Sequence, residues 1–226
     1  MAERRRAELI YSNSVGLFRA LFRTHNTLGR YFVFEGSPGA GKTSILGQLA
    51  AYRGTLCLPE LDHCHTPVRT FKQTRSRVQA WYLEQELRRQ SIISRWLKED
   101  GIVAQDRSVY STIGFAYAAT DQHCWKGCLN WAAGIEVRSF IAPDLLIVLT
   151  VKPRTSIKRR QAFRHDRRFS PWFDDRFLGR FNEFYRVVLP RITDTPILTI
   201  ETDDISIKET TCSLMPIFTT FLDARR

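Results

Sequence analysis

Apolar residues gather in five short runs along the chain, at 31–35 (YFVFE), 54–60 (GTLCLPE), 102–106 (IVAQD), 144–151 (DLLIVLTV) and 196–202 (PILTIET). Each run has the length of a buried strand and is bounded by glycine, proline or charged residues. Helical spacing fills the intervals. It predicts helices over 43–53, over 74–99, over most of 108–141, over 154–163 and 172–192 around a basic loop, and over 205–223. In the second of these the apolar positions are Val78, Trp81, Tyr82, Leu87, Ile92, Ile93, Trp96 and Leu97, and Gly101 stops the helix. Strands alternating with helices predict an α/β fold, a five-stranded parallel sheet with helices on both faces. Ligands of such sheets sit beyond the carboxyl ends of the strands. Residues 1–30 read as a basic helical extension, with Leu9, Ile10, Val15, Leu17, Phe18, Leu21 and Phe22 on an apolar stripe, and residues 31–226 read as the main domain.

After the first run comes Gly36-Ser37-Pro38-Gly39-Ala40-Gly41-Lys42-Thr43, followed by Ser44 and a helix-like pattern. The segment matches G-x-x-x-x-G-K-[ST] in full, between a strand and a helix. Phosphate oxygens need several backbone N–H donors converging on one point. Glycines allow that turn, and the following helix adds the positive end of its dipole. Gly36, Ser37, Gly39, Ala40, Gly41, Lys42, Thr43 and Ser44 are therefore expected to bind a nucleotide. Lys42 would reach the β- and γ-phosphates and Thr43 would hold Mg²⁺.

Composition adds less. With 226 residues, 43% hydrophobic and 25% charged, the chain is of ordinary globular type. A net charge of +11 calls for an anionic partner without choosing among nucleic acid, an acidic surface and phosphorylated small molecules. Five scattered cysteines do not make a disulfide framework, and a reducing cytoplasm is the expected setting. No run is long and apolar enough for a membrane helix, and the start, MAERRRAEL, is a poor leader sequence.

The remaining strand ends supply candidates for chemistry. Asp106 closes the third run, and a carboxylate there can join the magnesium shell or polarise an attacking hydroxyl, while Arg107 beside it can brace a phosphate or a carboxylate. Glu60 closes the second run and can accept a proton from a substrate hydroxyl. After the fourth run, SIKRRQAFRHDRRFS carries Arg159, Arg160, Arg164, Arg167 and Arg168 where a lid would close over phosphates. Arg164 and Arg168 are expected to neutralise charge during transfer, and Arg160 to contact the nucleotide.

Taken together, FEGSPGAGKTS, DRS at 106–108, VQAWYL at 78–83, PDLLIVLTVKPRTSIKRR at 143–160 and RFNEFYRVV at 180–188 resemble the thymidylate kinase and deoxynucleoside kinase group of P-loop kinases over about residues 31–203. The resemblance implies a P-loop kinase with an arginine-rich lid, ATP and Mg²⁺ as cofactors, and transfer of the γ-phosphate to a nucleoside-like or nucleoside-monophosphate acceptor. It makes Glu60 the base, Gln79 the partner of the nucleobase, and Arg107 and Tyr82 acceptor contacts. It also implies a homodimer through the helices flanking the third strand. The acceptor side departs from the group: Pro59 precedes Glu60 where Glu-Pro is usual, no tryptophan follows closely, and Gln85 and Glu86 stand where a phosphate-gripping arginine is common, with Arg88 and Arg89 slightly later. A non-nucleoside metabolite or antibiotic hydroxyl therefore stays open as acceptor. A P-loop ATPase contacting nucleic acid is the more remote alternative, since the fourth run ends in Thr150-Val151-Lys152 and not in paired acids. His63, Cys64, His65, His123, Cys124 and Cys128 are metal-capable types but form no paired C-x-x-C. Trp125 and Trp131 read as packing or as a dimer face.

Overall fold

The computed structural model describes residues 14–51, 54–61, 75–119, 122–161 and 171–223. In chain order these form α1 (14–20), β1 (Phe22–Arg23), β2 (Arg30–Gly36), α2 (Lys42–Leu49), β3 (Thr55–Leu58), α3 (Arg75–Lys98), β4 (Ile102–Asp106), α4 (Val109–Ala118), α5 (Gln122–Gly134), β5 (Phe140–Ile141), β6 (Leu145–Thr150), α6 (Pro153–Arg159), α7 (Asp175–Glu183), a π-helical turn (Phe184–Val188), α8 (Leu189–Ile192), β7 (Ile197–Glu201) and α9 (Ile207–Asp223). The five predicted runs pair in the order β3-β4-β2-β6-β7, every pair parallel. The expected 108–141 helix is two helices, α4 and α5, and the chain leaves α5 before reaching β5.

The central strands are buried on both faces, which is why they read as unbroken apolar runs. Side chains alternate: Tyr31 and Val33 of β2, Val103 of β4, and Leu146 and Val148 of β6 face the cluster under α3, α4 and α7. Phe32, Phe34, Ala104, Ile147 and Leu149 face the opposite cluster under α2 and α9, where Phe218 meets Phe32 edge-on at 4.9 Å. On the first face the apolar pattern ends before the strands do. Glu35 and Gln105 continue it, both fully buried, at the carboxyl ends of β2 and β4.

That polar ending decides how α3 sits. Of the eight apolar positions read from the sequence, Ile93 and Leu97 are buried, Leu87 and Trp96 are partly buried against the core, Val78, Trp81 and Tyr82 are half-buried, and Ile92 is 49% exposed. The buried side chains are Gln79, Leu83, Glu86, Arg89, Ile93 and Leu97. A buried Gln105 must find hydrogen-bond partners, and α3 turns polar residues inward to meet it.

From the N-terminal segment, Phe18 and Leu21 enter the same cluster. Phe18 meets Trp125 edge-on at 5.7 Å, Phe22 stacks on Tyr110 at 4.9 Å, and β1 pairs in parallel with β5. Trp131 packs near Phe140, so both tryptophans of α5 contribute to packing. Among the described residues no helix is long and apolar enough to cross a membrane.

Candidate phosphate-binding site and acceptor pocket

The phosphate loop joins β2 to α2. Gly36 opens it at φ +116°, and a Cβ there would lie 2.0 Å from the carbonyl oxygen of Leu149 on β6. Only glycine lets the chain turn at that point. Gly41, at φ +98°, precedes the first residue of α2 and has no side chain to cap it, so the helix start offers its N–H groups to a ligand. Lys42 is 4% exposed, and its Nζ donates to the carbonyls of Gly36 (3.1 Å) and Ser37 (3.0 Å). Burial, and then the nearby Arg107 charge, push its ammonium down to about 8. Other elements brace the loop from outside. Ser37 donates to Asn182 of α7 (2.6 Å), Ser156 of α6 to the Pro38 carbonyl (2.7 Å), and Arg159 to the Gly39 carbonyl (3.2 Å). Ala40 is buried and Ser44 exposed.

The ends of β2 and β4 meet beside this loop, with Phe34 in register with Asp106. The Thr43 hydroxyl donates to Asp106 Oδ2 at 2.6 Å, whereas Asp106 Oδ1 is buried with no hydrogen-bond partner. A hydroxyl, a carboxylate and an orphaned carboxylate oxygen form a hard, oxygen-only donor set, which fits Mg²⁺. No group of three or more His, Cys, Asp or Glu side chains able to hold a metal occurs among the described residues. Cys124 and Cys128 are both fully buried, and the Cys128 thiol is pushed up to about 12 by burial and the neighbouring sulfur.

Arg107 follows β4 in the left-handed region, at φ +62°. Such a backbone is uncommon for arginine, and its surroundings hold it there. Its N–H donates to the Phe34 carbonyl (2.9 Å), and its own carbonyl accepts from Gln105 Nε2 (2.7 Å). The guanidinium is pinned on three sides. Nε lies 2.5 Å from a Glu60 carboxylate oxygen in an ion pair whose N–H is not aligned for a hydrogen bond, Nη1 donates to Ser111 at 3.1 Å, and the group lies over the rings of Trp172 (5.6 Å) and Phe181 (5.9 Å). Burial works against its charge, but Glu60, Tyr185, Asp106 and Glu35 outweigh that and raise its basicity above the ordinary value.

Behind these groups lies a layer in which the sequence pointed to Glu86 and Arg89 only as departures from the resemblance and did not point to Glu35, Tyr31, Gln105 or Tyr185 as site residues. Glu35, 0% exposed, accepts four bonds: from Ser108 N (2.9 Å) and Oγ (2.6 Å), Ser111 Oγ (2.5 Å) and the Tyr185 hydroxyl (2.8 Å). Burial raises its affinity for a proton, and the bonds from Ser108, Ser111 and Tyr185 oppose the rise. Tyr31 donates to Gln105 Oε1 (2.7 Å), and Gln105 Nε2 donates to Glu86 (2.6 Å). Arg89 pairs with Glu86 (3.4 Å) and donates to the carbonyl of Pro59 (2.8 Å), tying α3 to the residue before Glu60. Glu86 is pushed up to about 7, chiefly by burial. Only Glu35 carried a local signal, since it directly precedes the first glycine of the loop.

The other predicted residues fall as follows. Gln79 is 5% exposed and its Oε1 is buried with no hydrogen-bond partner. Tyr82 is half-buried, edge-on to Trp81 at 5.1 Å. In the basic segment Arg159 donates to the phosphate-loop carbonyl of Gly39, while Arg160 passes beside Gly39, its Cγ 3.4 Å from where a Cβ would stand there, and lies over the ring of Phe173 at 5.3 Å. Arg164, Arg167 and Arg168, and with them the lid, lie outside the described residues, as do His63, Cys64 and His65. Asn182 and Tyr185 also border a cavity of about 730 Å³ that runs along the edge strand β7.

Both kinds of comparison lead to the same proteins. A probable thymidylate kinase of Picrophilus torridus is 21% identical over 181 residues, covering 76% of this chain and 88% of that protein. Among solved structures, thymidylate kinase of Candida albicans superposes with a TM-score of 0.66 at 16% identity, over 87% of this chain and 93% of the other. Deoxyadenosine kinase of M. mycoides does so with a TM-score of 0.66 at 16% identity, over 84% and 99%. The chain resembles a thymidylate kinase in sequence, and the thymidylate kinase and deoxynucleoside kinase group of P-loop kinases in fold. Thymidylate kinase of Ehrlichia chaffeensis follows, with a TM-score of 0.58 at 18% identity over 84% and 98%. No family model matches the chain. The P-loop kinase fold is thus common to both branches, and the Thr43–Asp106 and Glu60–Arg107 pairs lie at the strand ends where such a fold places its ligands.

Proposed function

We propose that this chain is an ATP- and Mg²⁺-dependent phosphotransferase acting on a nucleoside-like or nucleoside-monophosphate acceptor. The observation that carries the reading is the pairing of Thr43 with Asp106 and of Glu60 with Arg107, next to a complete phosphate loop. The loop and Lys42 bind the ATP phosphates. Thr43 and Asp106 hold Mg²⁺, which when bound supplies charge neutralisation across the transferred phosphoryl group. When the acceptor is a nucleoside, Glu60 takes the proton of its hydroxyl as that oxygen bonds to the γ-phosphorus and the bond to the β–γ bridging oxygen breaks, releasing ADP; a monophosphate attacks through an ionised phosphate oxygen, which has no proton to give up. Arg107 orients Glu60 and meets the acceptor, and Gln79 offers its unpartnered oxygen to an N–H of the acceptor. Arg160, Arg164 and Arg168 belong to the lid in this reading. Most of the rate comes from positioning and fixed charge. Assembly as a homodimer and a cytoplasmic setting are parts of the same proposal.

The test is ADP release from Mg²⁺–ATP by purified protein across nucleosides, nucleoside monophosphates and sugar-containing antibiotics. Turnover with a nucleoside or a monophosphate supports the reading. Turnover only with another metabolite moves the acceptor out of the nucleoside class. ATP hydrolysis stimulated by nucleic acid, with no phosphorylated product, overturns it.

A further inference from the structure

The helix that crosses from β6 to β7 changes its winding at Phe184–Val188, where Leu189 N–H bonds back to the Phe184 carbonyl across five residues. A π-helical turn adds a residue to one turn and re-aims the side chains it carries. Here it lets two consecutive aromatics, Phe184 (0% exposed) and Tyr185 (3% exposed), both face the core. Phe184 packs so closely on α4 that a Cβ at Gly114 would lie 2.7 Å from its ring. Tyr185 sits one helical turn beyond Phe181, edge-on at 5.1 Å, and Phe181 is one of the two rings beneath the Arg107 guanidinium. Its hydroxyl donates to Glu35 Oε2 at 2.8 Å, across 150 residues of chain. The same carboxylate oxygen accepts from Ser111, and Ser111 accepts from Arg107 Nη1.

We infer that this π-helical turn is a positioning device for the acceptor site: Tyr185, through Glu35 and Ser111, fixes the guanidinium of Arg107 in the orientation in which it holds Glu60. Neither Tyr185 nor Glu35 needs to touch a substrate for this. Each side of the Arg107 guanidinium has its own fixture, with Glu60 at Nε, Ser111 at Nη1 and the two rings below. The Ser111 fixture is only as firm as the carboxylate that orients the serine hydroxyl. That carboxylate is held by Ser108 at one oxygen and by Ser111 and Tyr185 at the other, so the tyrosine is the anchor that comes from outside the β4–α4 connection. The inference rests on the reading of Arg107 and Glu60 as acceptor-side groups.

The experiment separates the geometry from that reading. The Arg107 Nε–H resonance is assigned in the ¹⁵N spectrum by its loss in Arg107→Lys, and its exchange with solvent is measured in the full chain without ligand. In Tyr185→Phe, which removes one oxygen, exchange is expected to accelerate about tenfold, and Ser111→Ala, which cuts the relay next to Arg107, to do the same. Tyr110→Phe, which removes another buried hydroxyl bonded to Thr193, leaves the signal unchanged. Unaltered exchange in either Tyr185→Phe or Ser111→Ala overturns the relay. The kinetic arm uses Mg²⁺–ATP with thymidine, deoxyadenosine and their 5′-monophosphates. For whichever of these the unsubstituted protein phosphorylates, Tyr185→Phe is expected to raise the acceptor KM about tenfold while the KM for ATP stays within about twofold. Faster exchange with an unchanged acceptor KM overturns the acceptor-side role of Arg107, and the inference with it. An equal rise in both KM values also overturns it, since that is what general loosening of the fold would give.

Discussion

The two halves of the site are built differently. The donor half is eight consecutive residues, Gly36 to Thr43, whose work is done mainly by backbone. Glycine conformations set the loop, and helix N–H groups and one lysine complete it. The acceptor half is a web of groups from β2, β4, α3, α4 and the residues just after β3 and β4: Tyr31 to Gln105, Gln105 to Glu86, Arg89 to Glu86 and the Pro59 carbonyl, Arg107 to Glu60 and Ser111. Backbone motifs tolerate change around them because their geometry is local. A buried polar web is strong only while every member is satisfied, and removing one member leaves others orphaned in a low-dielectric interior. Substitutions in the donor half should therefore abolish turnover while leaving the acceptor web standing. Substitutions in the acceptor half should show both in catalysis and in folding.

The largest expected effect is on the donor side. Lys42→Ala and Asp106→Ala should each lower turnover by at least about a thousandfold, since each removes charge stabilisation at the transferred phosphoryl group. ADP release measured with a competent acceptor checks this, and near-normal turnover in either variant would sink the proposed mechanism. Glu60→Gln comes next, with turnover down about a hundredfold or more and ATP affinity little changed. It should also destabilise the fold, because Arg107, 7% exposed, keeps its charge without its carboxylate partner. Parallel kinetics and thermal melts would reveal whether the acceptor half couples the two as argued.

The smallest effect is the most specific to the web. Glu86 titrates near 7 in the folded protein against 4.5 for an ordinary glutamate, chiefly through burial. Between those values the native state keeps a proton that the unfolded chain has released, so this group makes the protein less stable as pH rises through the window. Glu86→Gln removes that dependence. The variant should gain on the parent by up to about 3 kcal/mol between about pH 5 and about pH 8, at about 1.36 kcal/mol for each pH unit between the two titration points. Denaturant unfolding at the two pH values tests it, and an equal stability difference at both would mean that Glu86 is ionised throughout.

Much of the fold was legible in advance because its signals are local. The five strands, the loop between the first strand and the first helix, and the parallel pairing follow from short apolar runs spaced by helical segments, whereas the order of the strands does not. The face of α3 was not. Val78 and Trp81 are as apolar as any core residue, yet they are only half-buried, and Gln79, Glu86 and Arg89 take places on the buried face. What turns the helix instead is Gln105, whose amide needs Glu86 as acceptor. Periodicity records how apolar a position is and says nothing of which polar group across the core needs a partner. Likewise Arg159 and Arg160 are equivalent in a basic run, and only the end of α6 sets Arg159 on the Gly39 carbonyl and Arg160 beside Gly39 with its guanidinium over the ring of Phe173.

By itself the sequence determined the class of fold, the phosphate loop and the place of Asp106 at the end of β4, because each is written in neighbouring residues obeying local sterics and hydrogen bonding. The tertiary structure alone decided that Glu60 meets Arg107, that Asn182 holds the loop across 145 residues and that Tyr185 reaches Glu35 across 150. Those contacts depend on helix rotation, on one π-helical turn and on the demand of buried polar atoms for partners, and none of these leaves a periodic trace in the chain.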